Sequence, residues 1–462
     1  MQTRVELKNI RSSYDTIVIG AGPAGCATAA CFAARGASVL LVESNPKAAR
    51  RFAGEWIHPE GVRILSNSGL LEGLREGFRG HGFVVCPNDG LGPIRLDYPA
   101  GASGLACEHE TFVTHLRRRV VESSRVDYVE GVRAQPADGR VVRLLVRGEE
   151  AKLVRAERVV VASGRSSRHV DALRRANREQ VSISLMAGLV ITNSELPLDG
   201  YGHVIAGGPG PVLAYRISKD RIRLCLDVPN AIRPVGNARE WIWKSFAEVL
   251  PASLRNGVRD GLPRASLSWA VNGFRPRCYQ TDSQVALVGD AAGVSHPLTA
   301  MGITMSLLDA EALAEAPTLS DYAARRSSQS YIPELLSNAI YQAFVRNDAG
   351  SLAIRESIFR TWRSSRAHRS RTMNLLGAAS TSRVNFVRAF SRVALRAGAG
   401  AFRTEPSLVA ELAGWLRWPC ASLHPQRDVM RARSLSWADP KRWARSGSFL
   451  TRVSIEEEQH AN

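Results

Sequence analysis

Residues 16–25, with the sequence TIVIGAGPAG, decide the fold of this chain. Four apolar or β-branched residues, typical of a buried parallel strand, precede glycines at the Gly-x-Gly-x-x-Gly spacing. In this pattern Gly20 permits a tight turn, Gly22 lets the backbone approach a pyrophosphate, and Gly25 lets the next helix pack on the strand. The phosphates are expected to lie at the N-terminus of that helix.

A helix, a second strand and an acidic residue follow in the order of a dinucleotide-binding fold. Residues 26–35 predict the helix, Gly36 ends it, and residues 38–42 predict the strand that Glu43 closes. A carboxylate at this place binds ribose hydroxyls. The four features in register favour a Rossmann-type domain over an isolated tight turn, and they leave FAD and NAD open.

A second motif far along the chain favours FAD. In residues 287–304 (LVGDAAGVSHPLTAMGIT), Asp290 follows a strand end and is placed to accept a hydrogen bond from a ribityl hydroxyl. Gly302 then opens a helix whose positive end would face the flavin pyrimidine and stabilise the anionic reduced ring. Taken alone, this segment also fits an ordinary strand-loop-helix crossover. Together with residues 16–25 it predicts an FAD site.

The composition is typical of a large enzyme with a full core. The chain has 462 residues, of which 45% are hydrophobic, and no apolar run reaches the 18 residues of a membrane span. The N-terminus lacks the apolar core of a signal peptide, so we expect a cytoplasmic protein. Seven scattered cysteines without a Cys-x-x-Cys pair predict reduced thiols and no metal site. They are Cys26, Cys31, Cys86, Cys107, Cys225, Cys278 and Cys420.

The net charge of +18 is concentrated in the last third of the chain. Arginines from Arg355 to Arg396 alternate with apolar residues, which predicts helices with one apolar and one cationic face. Such helices bind anionic membrane surfaces. Solvated charge on an arginine-rich surface is the competing interpretation, and both stay open. No nucleic-acid-binding motif is present, so we expect no nucleic-acid partner.

These motifs predict an α/β fold in which a Rossmann-type FAD-binding domain is interleaved with a β-sheet substrate domain and followed by a C-terminal helical region. Alternating apolar segments between the two FAD motifs predict the sheet, which would cover the flavin. The predicted boundaries are 14–80, 107–165 and 280–318 for the FAD-binding domain, 81–106 and 166–279 for the substrate domain, 319–402 for the helices, and 403–462 for a basic tail.

From residue 14 to residue 379 the chain resembles squalene epoxidase, a family of flavin monooxygenases that epoxidise an isoprenoid olefin. The matching segments are 51–55 (RFAGE), 59–62 (PEGV), 112–117 (FVTHLR), 130–132 (EGV), 211–218 (PVLAYRIS), 289–290 (GD) and 296–299 (HPLT). The resemblance implies FAD contacts at Pro23, Ala24, Glu43, Ser44, Arg51, Arg117, Val132, Asp290 and Ile303. Gly20, Gly22, Gly25 and Gly302 complete the predicted cofactor site.

Four departures from the family pattern bear on the substrate. Ser163 and Gly164 stand where the family has Asp-Gly, and Phe83 replaces a tyrosine near the active site. Residues 300–302 (AMG) replace a glycine triplet and should narrow or reshape the space over the flavin. Hydrophobic anchor helices are not expected. The resemblance therefore predicts FAD binding together with a substrate other than squalene.

The resemblance implies an oxygenation that needs no side-chain nucleophile and no metal. NADH or NADPH reduces the flavin, oxygen adds to form a C4a-hydroperoxide, and its distal oxygen passes to an electron-rich double bond. The protein excludes water and positions the olefin. Phe83, Trp56, Pro297 and Met301 are candidates to line the active site, as are Trp269 and Phe274, although a core role is open for the aromatic residues. His58, His81, His109 and His296 are interpreted as structural or loop histidines.

We therefore expect an FAD-dependent monooxygenase that epoxidises or hydroxylates an isoprenoid or a prenylated aromatic in a biosynthetic pathway. Its partners would be O2, a lipophilic substrate and NAD(P)H, delivered directly or through a reductase. A prenyl reductase or halogenase of the same fold is the alternative, although residues 241–244 (WIWK) only imitate the Trp-x-Trp motif of halogenases. A non-catalytic FAD-containing membrane-binding module is the second alternative.

Overall fold

The computed structural model describes residues 6–137, 140–146, 151–165, 181–232, 234, 236–281 and 284–401. The strands are β1 Ser13–Ile19, β2 Val39–Glu43, β3 Trp56–Ile57, β4 Phe78–Gly80, β5 Gly82–Cys86, β6 Ile94–Asp97, β7 Gly104–Ala106, β8 Val126–Glu130, β9 Arg133–Pro136, β10 Val141–Leu145, β11 Lys152–Val161, β12 Val181–Thr192, β13 Tyr201–Ile205, β14 Val212–Arg216, β15 Arg221–Pro229, β16 Ser268–Phe274 and β17 Ala286–Leu287. The helices are α1 Pro23–Ala33, α2 Pro59–Asn67, α3 His109–Val121, α4 Ala238–Phe246, α5 Ala252–Gly261, α6 Gly302–Glu315, α7 Leu319–Val345, α8 Ala349–Ser364, α9 Arg366–Leu376 and α10 Arg383–Ala401.

The described residues form two compact units. The first contains the described residues up to Tyr341 together with Arg369–Ser382, and the second contains Gln342–His368 and the described residues from Arg383 onward. The predicted basic tail, 403–462, lies outside the described residues.

A Rossmann-type sheet carries the fingerprint. Its order among the described strands is β8-β2-β1-β11-β10-β9, with β17 paired to β11. Strands β8, β2, β1, β11 and β17 run parallel, so that Ile17 lies beside Leu40 on one side and Val159 on the other. All three residues are fully buried, as expected for parallel strands that are covered on both faces.

A second sheet has the order β16-β12-β15-β14-β13-β5-β6, and β3, β7 and β4 form a small third sheet. The second sheet is antiparallel except for the β13–β5 pair. It draws its strands from both predicted substrate segments, whereas β7 joins the third sheet. The predicted fold class, a Rossmann-type domain interleaved with a β-sheet domain and followed by helices, is confirmed.

The starts of α1 and α6, the two helices near the predicted cofactor site, match the residue types found there. α1 begins at Pro23, three residues before the predicted start, because proline fits the first turn of a helix, where its missing N–H is not needed. α6 begins at Gly302, as predicted. None of the described helices is both long enough and apolar enough to cross a membrane.

Candidate functional site

The three fingerprint glycines meet different surroundings. A Cβ on Gly25 would lie 1.8 Å from the Gly20 carbonyl oxygen, and one on Gly20, whose φ is +105°, would lie 2.6 Å from the Ala162 carbonyl oxygen. Both positions therefore require glycine so that the loop can pack on the sheet. A Cβ on Gly22 would meet nothing within 4 Å. No side chain caps the N-terminus of α1, which begins beside Gly22, so no capping side chain satisfies its first amides.

Glu43 and Arg117 hold the loop between β1 and α1. The buried Glu43 carboxylate accepts the Ala21 N–H at 2.8 Å and the Asn45 N–H at 2.8 Å. Arg117, on α3, donates to the Ala21 carbonyl at 2.9 Å and to Glu43 Oε2 at 3.2 Å. Val132 lies alongside, because its N–H donates to the Glu43 carbonyl at 3.2 Å. Glu43 and Arg117, two of the predicted cofactor contacts, therefore hold this loop in place.

The Gly289–Asp290 turn lies between the N-terminal parts of α1 and α6. Gly289 has a φ of +62°, and a Cβ there would lie 2.9 Å from the Ala24 side chain on α1 and 2.8 Å from the Ser306 hydroxyl on α6. Only glycine fits this close approach. The half-buried Asp290 carboxylate accepts no side-chain or backbone hydrogen bond from the described residues, so its oxygens are available to a ligand hydroxyl.

A buried aspartate that the sequence analysis missed supports this turn. Asp309, on α6, is fully buried and accepts the Gly289 N–H at 3.0 Å. Arg277 at 3.2 Å and Arg326 at 2.8 Å donate to the same carboxylate. The available signal was a pair of carboxylates, Asp309 and Glu311, in the otherwise apolar helix 303–314. Nothing in the sequence marks the two arginines as the partners of Asp309.

The turn before α6 keeps a backbone conformation suited to glycine. Ala300 has a φ of +52° and a ψ of 26°, which places an L-residue in the left-handed region. Met301 is buried, and a Cβ on Gly302 would meet nothing within 4 Å. The departure at 300–302 therefore puts a buried methionine beside the turn while leaving open space at the start of α6, where no side chain caps the helix.

A hydrogen-bond chain fixes this turn from the side of β3. The Trp56 N–H donates to the Tyr98 hydroxyl at 3.0 Å, and that hydroxyl lies 2.7 Å from Nδ1 of His58. Nε2 of His58 lies 2.9 Å from the Thr299 carbonyl oxygen. Because the indole can only donate and the carbonyl can only accept, Tyr98 donates to Nδ1 and the proton resides on Nε2.

The same histidine reaches the other side of the turn. The His58 backbone N–H donates to the Thr304 hydroxyl at 2.9 Å, so one residue is bonded on both sides of 300–302. Burial lowers the pKa of His58 to about 4, which keeps the ring neutral. His58 is thus a structural residue that the sequence analysis interpreted without its partners, because Tyr98 lies 40 positions away.

Aromatic side chains pack beside this hydrogen-bond chain. The ring centroids of Trp56 and Phe83 are 4.9 Å apart, and those of Trp56 and Tyr215 are 5.9 Å apart. All three side chains are buried. The structure therefore brings Trp56 and Phe83 together, and His58 connects them to the segment that carries Pro297 and Met301. Trp269 and Phe274 lie half-buried on the edge strand β16.

The segment 51–55 packs against the second sheet. Glu55 is buried and accepts two hydrogen bonds from Arg223 of β15, at 2.8 and 2.7 Å. The Phe52 ring lies under the Arg223 guanidinium, 5.3 Å from ring centroid to Cζ, and against Gly188 of β12. This bidentate pair explains why the segment carries glutamate, since a buried guanidinium needs a carboxylate partner.

Positive charge lies near the open side of the site. Desolvation lowers the pKa of Arg51, the Asp290 carboxylate raises it, and the neighbouring Arg165 and Arg117 lower it further. The Arg51 guanidinium lies against Gly164. Ser163 Oγ is buried and has no hydrogen-bond partner among the described residues. These groups suit an anion or a polar ligand next to the fingerprint.

The residues present fit a flavin dinucleotide. Two helices begin with uncapped amides and with glycines whose Cβ positions are open, namely Gly22 and Gly302. Asp290 lies between those helices and would be able to accept a hydrogen bond from a ribityl hydroxyl, and Arg51 would supply positive charge for a pyrophosphate. Ser44 is exposed, and Ile303 is buried against Gly54. Pyrophosphate binding at a helix N-terminus needs this combination of open amides and space.

Other candidate chemistry is not supported by the described residues. Lys244, which a halogenase would place between flavin and substrate, is exposed and paired with Glu240 at 2.6 Å. The described residues contain no cluster of histidine, cysteine or acidic side chains that could hold a metal ion. The six described cysteines are free thiols, whereas Cys420 lies outside the described residues.

Known protein families match this chain along most of its length. A squalene epoxidase family model matches residues 155–415, more than half of the chain, and an FAD dependent oxidoreductase model matches residues 15–88. Squalene monooxygenase of Mus musculus is 26% identical over 421 residues, which cover 85% of this chain and 73% of the mouse protein. Squalene epoxidase of Aspergillus fumigatus is 27% identical over 391 residues, 77% of this chain and 80% of the fungal protein.

The solved structure of the flavin-dependent brominase Bmp2 also resembles this chain. It superposes with a TM-score of 0.66 at 17% sequence identity, covering 84% of this chain and 98% of the brominase. At that identity the likeness extends to the fold alone.

Proposed function

Because this chain belongs to the squalene epoxidase family and is an FAD-dependent monooxygenase, we propose that it inserts one atom of O2 into an electron-rich double bond of a lipophilic small molecule. Family membership confirms the resemblance read from the sequence, and FAD is the cofactor. The proposed substrate is an isoprenoid or a prenylated aromatic of a biosynthetic pathway, with epoxidation or hydroxylation as the reaction.

The observation that carries the proposal is the pair of open glycines at uncapped helix N-termini, with the free Asp290 carboxylate between them. This arrangement would hold FAD along the Rossmann sheet with its ring near the start of α6. The aromatic residues Trp56 and Phe83 would then lie near the ring and form an apolar wall for the substrate.

The reaction balances with a nicotinamide donor. The olefin, O2, NAD(P)H and one proton give the epoxide, NAD(P)⁺ and water, and bound FAD supplies the two-electron transfer and the activation of oxygen. The side chains of this protein orient the olefin, exclude water and stabilise negative charge at the start of α6. His58 is held neutral by burial, so its proposed role is to hold the turn and not to transfer a proton.

The proposal is tested by product analysis. Purified holoprotein receives NADH or NADPH, a panel of terpenoids and prenylated aromatics, and ¹⁸O₂, and products are identified by mass spectrometry. We expect one labelled oxygen atom per product molecule. A saturated product without label would indicate a prenyl reductase, a halogenated product in the presence of bromide would indicate a halogenase, and donor oxidation independent of every acceptor would count against a substrate of this class.

We also propose that α10 contacts an anionic membrane surface. Val384, Val387 and Leu395 are 58%, 41% and 72% exposed, and exposed arginines such as Arg388 and Arg392 lie among them. Apolar side chains next to arginines suit a lipid surface with negative headgroups.

Flotation with liposomes of anionic or neutral lipid, at low and high salt, tests this surface. The control is Leu352→Asp, because Leu352 is an apolar residue on α8 of the same unit that is 41% exposed. Binding to anionic vesicles that is weakened by Val384→Asp and unchanged by Leu352→Asp would support the proposal. Equal recovery of the parent protein and Val384→Asp with the vesicles would mean that the arginines of α10 are simply solvated and that this surface does not bind a membrane.

A further inference from the structure

Five polar side chains are buried together where the second sheet meets the segment before α6. Ser184 of β12, Asp227 of β15 and Asn272 of β16 come from three adjacent strands, His296 opens the HPLT segment, and Tyr341 lies on α7. None of these residues is more than 3% exposed. The predicted flavin contacts do not include any of them.

The Asp227 carboxylate is the centre of the cluster. Its Oδ1 accepts hydrogen bonds from Asn272 Nδ2 at 3.1 Å and from His296 Nε2 at 3.1 Å, and also from the Ser184 hydroxyl. Its Oδ2 accepts the Tyr341 hydroxyl at 3.0 Å. A buried carboxylate with four donors is fully satisfied without an arginine or lysine partner.

This arrangement fixes the tautomer and the position of His296. The Leu298 N–H donates to Nδ1 of His296 at 3.2 Å, so Nδ1 carries no proton and Nε2 is the donor to Asp227. The imidazole also stacks on the Tyr341 ring with centroids 3.6 Å apart. The ring is therefore held in its plane by the stack and along its edge by hydrogen bonds at both nitrogens.

His296 in turn fixes the backbone that leads to α6. Its carbonyl accepts the Ser337 hydroxyl at 2.8 Å, and Ser337 accepts the Thr299 hydroxyl at 3.1 Å. Ala300, with its left-handed backbone, follows directly, and Gly302 begins the helix. A displaced imidazole would move these residues because only a few bonds separate them from the ring.

Stability alone does not account for such a cluster. Burying polar groups costs free energy that hydrogen bonds only offset, and apolar side chains of similar size often stabilise a core at least as well. A satisfied polar network adds direction, because its hydrogen bonds form in one geometry only.

We infer that Asp227 is a positioning residue for the flavin: through the Nε2–H tautomer of His296 it holds the turn at 297–302 where the open N-terminus of α6 meets the ring. This inference rests on the flavin placement given under the proposed function. It also connects the second sheet to the cofactor, since Ser184, Asp227 and Asn272 all belong to that sheet.

The test measures how tightly the protein binds FAD and how easily bound FAD is reduced. The dissociation constant of FAD is obtained by titrating apoprotein and following flavin fluorescence, and the reduction potential of bound FAD is measured by dye equilibration. We expect Asp227→Leu and Tyr341→Phe to weaken FAD binding at least tenfold and threefold, respectively, and to lower the potential. Asp227→Asn, which keeps an acceptor oxygen toward His296, should restore binding to within about threefold of the parent.

Tyr14→Phe is the matched control, since the buried Tyr14 donates to Asp127 at 2.6 Å on the far edge of the Rossmann sheet. It should lower the melting temperature as Tyr341→Phe does but leave FAD affinity and potential unchanged. If Tyr341→Phe and a folded Asp227→Leu keep the parent affinity and potential, Asp227 is merely structural. If Asp290→Ala also binds FAD normally, the flavin placement itself is wrong.

Discussion

At the scale of single residues, glycines in this site serve two separate purposes. Gly20, Gly25 and Gly289 are required by close contacts with other protein atoms, as a Cβ at each would lie within 3.0 Å of them. Gly22 and Gly302 face open space, and only a ligand would need their lack of a side chain. The distinction separates residues that build the fold from residues that, in the proposed site, would leave room for the cofactor.

Ala300 provides a prediction at this scale. An alanine in the left-handed region is strained by about 1 kcal/mol relative to glycine, and Ala300 has a φ of +52°. We expect Ala300→Gly to raise the free energy of unfolding by up to about 1 kcal/mol, reduced by the greater freedom of glycine in the unfolded chain. Urea denaturation of the parent and variant apoproteins measures this change in the free energy of unfolding.

Ala378→Gly is the control, because Ala378 has a φ of +56° elsewhere in the same unit. Both variants should gain similar stability. A clear loss of stability for Ala300→Gly alone would mean that the Ala300 methyl group packs more favourably than its backbone strain costs.

At the scale of elements, the proposed cofactor site lies where two helices begin beside one turn. α1 follows β1 and α6 follows the 296–301 segment, and Gly289 packs between Ala24 of the one and Ser306 of the other. Both helices lack a side-chain cap. Uncapped amides would be unfavourable in an ordinary helix, so a ligand that accepts their hydrogen bonds stabilises both.

Gly302→Ala tests this arrangement. The added methyl group meets no protein atom within 4 Å, and alanine suits a helix better than glycine. We therefore expect apoprotein with an equal or higher melting temperature and FAD affinity lowered at least tenfold. Calorimetry of apoprotein and fluorescence titration with FAD give the two values.

Gly398→Ala in α10 is the matched variant, since a Cβ there also meets nothing within 4 Å. It should raise the melting temperature without any effect on FAD. Normal FAD affinity in Gly302→Ala would place the flavin away from the start of α6.

At the scale of the whole molecule, burial keeps several histidines neutral. The pKa values of His58, His109 and His203 are each lowered to about 4, chiefly by desolvation. They come from three separate parts of the chain: His58 precedes α2, His109 begins α3 and His203 lies on β13. The unfolded chain binds protons at these residues near pH 6.5, so the folded state becomes less favourable in acid.

The sign of the effect gives a prediction. The contribution of these neutral histidines to the free energy of unfolding is fully present above about pH 6.5. It is lost as the pH falls toward 4, by about 1.4 kcal/mol per pH unit for each such histidine. Between pH 6.5 and 5.5 most carboxylates do not yet titrate, so this window reports the histidines. Urea midpoints measured across it should fall steadily.

His58→Gln supplies the comparison, because its amide can accept from Tyr98 and donate to Thr299 without titrating. Its stability should fall less steeply with acid than that of the parent protein. Parallel curves for the two proteins would mean that His58 takes up a proton as readily in the fold as in the unfolded chain.

The sequence by itself determined the class of fold and the cofactor. The strand, the glycines at 20, 22 and 25, and the closing Glu43 are neighbours along the chain, and a turn that needs positive φ or close approach restricts residue type locally. The same holds for Gly289 and Asp290. Such local requirements depend on residues that are close in sequence, so the sequence alone reveals them.

Only the tertiary structure decided how the turn before α6 is held. Asp309 meets Arg277 and Arg326, His58 meets Tyr98, and Asp227 meets residues on two other strands and on α7. These partners lie between 17 and 114 positions apart. Pairings of this kind arise because a buried polar group must find a partner wherever packing brings one, and a sequence records the residues but not which of them packing brings together.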